Sequence, residues 1–366
     1  MHITLIAGTR PNFVKISPII LALKKKQAEG FSVHFRLVHT GQHYDNLMSS
    51  AFFKELQIPN PDSNLGVGGG TQAEQTAGIM IGFEKELIDF PTDLVLVVGD
   101  VNSTMACAVV AKKMNIPLAH AEGGIRSFDT SMPEEINRKI TDSITDYFFT
   151  TSAFANENLK IEGIAKEKIF FVGNVMIDTL LRLENDFKQP HIFVKEKLSK
   201  NKYLVLTLHR PSNVDDPEKL LKLLTTISEH SENYPVIFPV HPRTATILKK
   251  NGVTVKNIVV IEPLGYLEFN YLVKNSMAVI TDSGGISEET TVMGIPCLTL
   301  RNNTERPETC TIGTNKLIGS NPENLIAELK KLFLEDRQKR EIPELWDGNA
   351  AERIVDHLIQ LMAIKR

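Results

Sequence analysis

Short apolar runs alternate with amphipathic helical patterns from one end of this chain to the other, and they do so in two successive series. In the first, strand-like runs occupy residues 3–7, 33–39, 94–98, 117–122, 147–151 and 169–172, with helical patterns at 11–26, 73–90, 103–114, 134–143 and 153–161. The second series of strands runs through 203–208, 236–239, 258–261, 278–281 and 296–300. Continuous apolar strands separated by helices imply parallel sheets covered on both faces. The pattern predicts an α/β chain with two Rossmann-like, doubly wound domains, and 366 residues suffice for two full cores. The seam falls in the polar, charge-rich segment 184–202, so one domain is expected over 1–185 and the other over 186–349. A last helix is expected over 350–366, with Ile354, Val355, Leu358, Leu361 and Met362 on its apolar side. Open α/β sheets bind ligands beyond the carboxyl ends of their strands. The expected site is a cleft between the domains, built from strand-end loops.

Composition removes several function classes. The net charge is −3 and no basic tail appears, which argues against nucleic acid as a partner. Cys107, Cys297 and Cys310 have no ligand-like spacing and suit a reducing compartment. The opening MHITLIAGTR reads as a first strand rather than a leader, and no apolar run approaches membrane-spanning length. A soluble cytoplasmic protein with no membrane partner is expected.

The sharpest motif is TDSGGISEE, residues 281–289, where a strand passes into a helix. Gly284 and Gly285 remove the Cβ atoms that would block a ligand, and after Ser283 the helix N-terminus offers N–H groups and partial positive charge to a phosphate. Glu288 and Glu289 lie one turn further, within reach of a ribose hydroxyl. Gly8-Thr9-Arg10-Pro11 follows the first strand, with Lys15 near the start of the next helix. Arg10 is either a diphosphate contact or a solvated turn residue; no G-x-G-x-x-G follows, so NAD is disfavoured. Leu208-His209-Arg210-Pro211 ends the first strand of the second series, and His241 follows the next strand between Val240 and Pro242. Each is a phosphate contact or an ordinary strand end. Arg306 lies in TERPE, either at the same edge or in a surface salt-bridge set with Glu305 and Glu308.

Acids collect in the first half. Asp100 ends VLVVGD and either caps the following helix or faces the cleft. Glu122, in HAEGGIR, is a poor turn former; it either pairs with Arg126 or acts as an acid or base. Glu134 and Glu135 open a helix, where the dipole alone favours acids. Several carboxylates sharing one cleft would shift one another's proton affinities toward acid–base work. Acids in the first half and phosphate-friendly turns in the second fit a sugar nucleotide.

The segments GTRPNFVK, GDVNSTMA, HAEGGIRS, MPEEINR, VGNVMIDTL, LTLHRPSN, PVHPRT, TDSGGISEE and TERPETCTIGTN, in this order along nearly the whole chain, resemble the non-hydrolysing UDP-N-acetylglucosamine 2-epimerases. The resemblance implies a glycosyltransferase-B-like fold whose C-terminal helix crosses back to the first domain. It implies C2 inversion of UDP-N-acetylglucosamine to UDP-N-acetylmannosamine through 2-acetamidoglucal, in a homodimer, with no cofactor and no metal. By the same resemblance Asp100, Glu122 and Glu134 are catalytic acids and His209 acts near the diphosphate. Arg10, Ser283, Gly284 and Gly285 match diphosphate contacts, Glu289 the ribose contact and Phe269 the uracil pocket. Lys15, Arg138 and Arg306 match further basic positions, and His241 is kept as a substrate contact. Two departures stand out. Pro211-Ser212 follows the His-Arg where well-studied members have Arg-Glu. Gln42-His43 is present, but its surroundings and residues 68–75 differ from the pattern of members with a second, allosteric nucleotide site. The competing readings are a hydrolysing epimerase, a 2-epimerase of another UDP-2-acetamido sugar, a glycosyltransferase, and a non-catalytic sugar-nucleotide sensor.

Overall fold

The computed structural model describes residues 1–41, 52–240, 242–250, 255–319, 321–334 and 341–364. The chain forms two compact units, Met1–Arg182 with Glu344–Arg366, and Leu183–Pro343.

The first unit is built on β1 (His2–Ala7), β2 (His34–His39), β3 (Ser63–Asn64), β4 (Leu94–Val98), β5 (Leu118–Ala121), β6 (Tyr147–Thr150) and β7 (Ile169–Phe171). All pair in parallel, in the order β3-β2-β1-β4-β5-β6-β7. The helices are α1 (Arg10–Ala28), α2 (Gln72–Asp89), α3 (Asn102–Lys113), α4 (Pro133–Ile144), α5 (Ala153–Ile161) and α6 (Val175–Leu183). Local chemistry sets their starts. Thr9 with Asn12, and Thr71 with Glu74, form capping boxes ahead of α1 and α2. Ile79, Phe83 and Leu87 of α2 and Ala106, Cys107 and Val110 of α3 pack on Val95, Val97 and Leu118 of the sheet. The apolar residues of β4 are all buried, which is why its run VLVV showed no alternation.

The second unit holds β8 (Leu204–Thr207), β9 (Val236–Pro239), β10 (Ile258–Ile261), β11 (Ala278–Thr281), β12 (Cys297–Thr299) and β13 (Asn315–Leu317), again all parallel, in the order β10-β9-β8-β11-β12-β13. Its main helices are α7 (Pro217–Glu229), α8 (Pro242–Lys250), α9 (Tyr266–Asn275), α10 (Gly284–Met293) and α11 (Pro322–Leu334). Leu220, Leu224 and Ile227 of α7 and Leu325 and Leu329 of α11 cover one sheet face, and Leu272 and Val273 of α9 help cover the other. The two edge strands β3 and β13 were not anticipated. They are two and three residues long and largely polar, so they carry no apolar run to read.

After the second unit the chain returns to the first as α12 (Ala350–Ile364). Ile354, Val355 and Leu358 are buried, and Lys25 and Lys26 of α1 pair with Glu352 and Asp356 at 2.6 and 2.9 Å. Asp178 of α6 caps the start of α12, accepting the Ala350 and Ala351 N–H groups at 3.1 and 2.7 Å. Trp346 anchors the approach through Nε1 to the Thr151 carbonyl at 2.9 Å. Among the described residues no helix is long and apolar enough to cross a membrane.

In each sheet the strand order reverses once, between β1 and β4 and between β8 and β11. The loops at the carboxyl ends of those strands are where such sheets bind ligands.

Candidate active site

In the first unit the reversal gathers Arg10, Lys15, Asp100 and Glu122. Gly8 is required by packing: a Cβ there would stand 2.1 Å from Ser103 Oγ, which pairs with Thr40 Oγ1. Arg10 opens α1, with its guanidinium over the Phe52 ring at 5.5 Å. One turn on, Lys15 is buried with Nζ 2.6 Å from Glu122 Oε2. The alternative of a Glu122–Arg126 pair is not realised. Arg126 instead pairs with Asp142 and Glu162, at 2.6 and 2.5 Å.

Glu122 has φ +71, a left-handed conformation that costs an L side chain with a Cβ about 1 kcal/mol or more. The strain places the carboxylate above the neighbouring strand end. Gly99, also at φ +71, lies under it; a Cβ on Gly99 would be 3.2 Å from Lys15 Nζ.

Asp100 does not cap α3. Its Oδ2 accepts from Arg138 Nη1 at 2.5 Å and its carbonyl from Asn137 Nδ2 at 2.9 Å, both on α4. The two acids opening α4 diverge. Glu135 is buried and structural, accepting the Ser127 and Phe128 N–H groups at 2.9 and 3.1 Å and Arg138 Nε at 2.9 Å. Burial pushes its carboxyl up, but these donors outweigh burial and hold it below its ordinary value. Glu134 is exposed.

In the second unit the reversal brings His209, after β8, beside Asp282, after β11. Asp282 is buried and accepts His209 Nδ1 at 2.7 Å, the Arg210 N–H at 3.0 Å and Asn213 Nδ2 at 3.0 Å. Burial raises its proton affinity, but these partners outweigh it and keep the carboxyl below its ordinary value. The carboxylate thereby fixes the imidazole's orientation, while the His209 side chain stays 57% exposed. Asp282 stood unassigned in the motif because the chain separates it from His209 by 73 residues.

Ser283 is the N-cap of α10, its hydroxyl does not cap the helix, and the first turn carries no acid. Such an end suits an anion. A Cβ on Gly284 would stand 2.5 Å from Glu305 Oε1, whose carboxylate is held by Arg301 at 2.6 Å. Gly285 follows in the same turn. Arg306 is buried and pairs with Glu288 at 2.6 Å, so Glu305, Arg306 and Glu308 are not a surface set. Glu289 is buried and accepts the Tyr266 hydroxyl at 2.8 Å. Burial pushes its carboxyl up to about 7, against that hydroxyl's opposing pull. Phe269, on α9 with Tyr266, is half-buried against the core. His241 and Gln42-His43 lie outside the described residues.

The profile of the UDP-N-acetylglucosamine 2-epimerase family matches residues 24–359. The chain is 44% identical to the UDP-N-acetylglucosamine 2-epimerase of Methanocaldococcus jannaschii, over 97% of this chain and 98% of that one. It is 38% identical to the UDP-2,3-diacetamido-2,3-dideoxy-D-glucuronate 2-epimerase of Pseudomonas aeruginosa, over 99% of this chain and 100% of that one. A crystal structure of the M. jannaschii enzyme in complex with UDP-GlcNAc and UDP is similar with a TM-score of 0.88 at 43% identity, covering 98% of this chain and 100% of that one.

Proposed function

The chain belongs to the UDP-N-acetylglucosamine 2-epimerase family, and on that premise we propose that it inverts C2 of UDP-N-acetylglucosamine to give UDP-N-acetylmannosamine. The observation that carries this reading is the pair of acids on adjacent strand ends, Glu122 on Lys15 and Asp100 on Arg138.

The C2 proton has no neighbouring carbonyl to acidify it. A carboxylate removes it as the C1–oxygen bond breaks; C1 and C2 become doubly bonded, and UDP departs with the bonding electrons. The bound 2-acetamidoglucal is then protonated at C2 on the opposite face, and UDP oxygen re-adds at C1. The sequence is redox-neutral and draws on no cofactor or metal. It needs acid–base groups at the sugar and stabilisation of the departing diphosphate.

Asp100, Glu122 and Glu134 supply the acid–base set, with Lys15 and Arg138 as their cations. In the second unit the α10 N-terminus at Ser283, Gly284 and Gly285, with His209, takes the diphosphate, and Asp282 keeps His209 aimed; in the first unit Arg10 keeps the diphosphate role that the resemblance gives it. Glu289 takes the ribose hydroxyls, Phe269 borders the uracil, and Arg306 braces Glu288 on the next turn of α10. We further propose a homodimer, which light scattering tests.

The Pseudomonas relative, named for a diacetamido uronate, favours a second reading in which the substrate is another UDP-2-acetamido sugar. Proton NMR in D₂O decides. Deuterium at C2 with a growing UDP-N-acetylmannosamine signal supports the first reading. Exchange only with another UDP-2-acetamido sugar supports the second, and free N-acetylmannosamine with UDP marks a hydrolysing enzyme.

A further inference from the structure

One buried histidine plays no part in the chemistry above. His120, on β5, is fully buried two residues before Glu122. Its Nε2 lies 2.8 Å from the Gly99 carbonyl, and its Nδ1 lies 2.7 Å from Asp142 Oδ1. A carbonyl only accepts, so Nε2 donates to Gly99. Asp142 is fully buried; burial pushes its carboxyl up, but His120, Arg126 and the Gly124 N–H outweigh this and hold it below its ordinary value. Nδ1 faces this carboxylate.

These bonds join three elements. Gly99 is the left-handed residue that delivers Asp100, directly after β4. Asp142 lies on α4 and also accepts the Gly124 N–H at 3.0 Å, in the turn that carries Glu122. The same helix presents Glu134 and, through Asn137 and Arg138, holds both ends of Asp100. Space is tight around the joint: a Cβ on Gly123 would meet Phe148 at 2.9 Å and would lie 3.4 Å from Asp142 Oδ1.

We propose that His120 is a positioning residue for the epimerase reaction: it locks the Asp100 turn, the Glu122 turn and α4 into one assembly, so that proton removal and return at C2 occur from a fixed pair of faces. The inference rests on the elimination reading above. A misplacement of about 1 Å costs such a reaction on the order of 100-fold. Its signature is a failure of the second half-reaction, because the glucal waits for an acid that is out of place.

The test uses the full chain with two variants. In H120N the amide nitrogen overlies Nδ1, keeping Asp142 and losing Gly99. In H120Q it overlies Nε2 and keeps the Gly99 bond. H120N is expected to lose about 100-fold in kcat with KM and UDP affinity unchanged within about threefold. H120Q gives up the Asp142 bond instead and breaks the same joint, so it is expected to lose kcat to a similar extent, again with KM nearly unchanged. Free UDP and glucal released per epimer formed should rise in H120N. The inference is overturned if H120N keeps kcat within about threefold of wild type. It is also overturned if both variants lose activity in step with native near-UV circular dichroism, or if the UDP-to-epimer ratio does not move. Absence of C2 exchange in the wild type with every UDP-2-acetamido sugar would instead sink the elimination reading itself.

Discussion

Glu289 allows the nucleotide half of the site to be tested by titration. Its carboxyl is buried on α10, and burial pushes it from 4.5 up to about 7 although Tyr266 pulls the other way. At about 1.4 kcal/mol per tenfold change in proton affinity, that displacement corresponds to roughly 3 kcal/mol. The sign follows from the two states. The folded chain keeps this proton to about pH 7, while the unfolded chain loses it near 4.5. Stability from this group is therefore greatest below 4.5 and falls as pH rises toward 7. A ribose whose hydroxyls donate to Glu289 favours the ionised form, so binding near pH 6 must expel the proton. Affinity for UDP-N-acetylglucosamine should drop about tenfold between pH 8 and pH 6, and calorimetry in buffers of different ionisation enthalpy should record roughly one proton released at pH 6. The UDP-sugar is the right probe because a terminal phosphate, as in UDP, titrates near pH 6 on its own. E289Q should bind more weakly at pH 8, lose the pH slope, and unfold with up to about 3 kcal/mol greater stability at that pH. A wild-type affinity flat within twofold from pH 6 to 8, or an E289Q variant with the wild-type slope, would refute the ribose assignment.

Three further perturbations probe other parts. K15M takes the ammonium from the buried Glu122 carboxylate; it should cost about 3 kcal/mol in urea unfolding and suppress C2 exchange, and a variant with normal stability would contradict the buried pair. G284A sets a methyl 2.5 Å from Glu305 Oε1; UDP should bind at least about tenfold more weakly, and an unchanged Kd would remove Gly284 from the diphosphate site. D178A strips two N–H partners from the start of α12 and should cost about 1–2 kcal/mol, with faster hydrogen exchange confined to that helix. Burial holds Asp178 up at about 6, so its own contribution declines as pH rises from about 4 to 6, and D178N should narrow that decline.

Strand-end acids were readable because ligand-facing loops in parallel sheets start just past apolar runs, and Asp100 and Glu122 both sit there. A glutamate is a poor turn former before two glycines, which singled out Glu122, but its left-handed φ was not anticipated. The partners were not readable. Arg126, four residues on, was the one partner weighed for Glu122, yet Lys15, 107 residues away, takes the place. Asp282 next to His209 and Asp142 next to His120 were hidden in the same way.

Periodicity by itself marked the apolar strands of the two sheets, the last helix and the strand ends that carry Asp100 and Glu122, because solvent exclusion acts on each residue through its near neighbours along the chain. The pairing of charges was decided only by tertiary structure. Strand order β3-β2-β1-β4-β5 places β1 and its helix α1 against β4, so Lys15 reaches across Gly99 to Glu122. A buried charge takes whichever opposite charge the fold brings within about 3 Å, and in a parallel sheet that neighbour is set by crossover topology rather than by distance along the sequence.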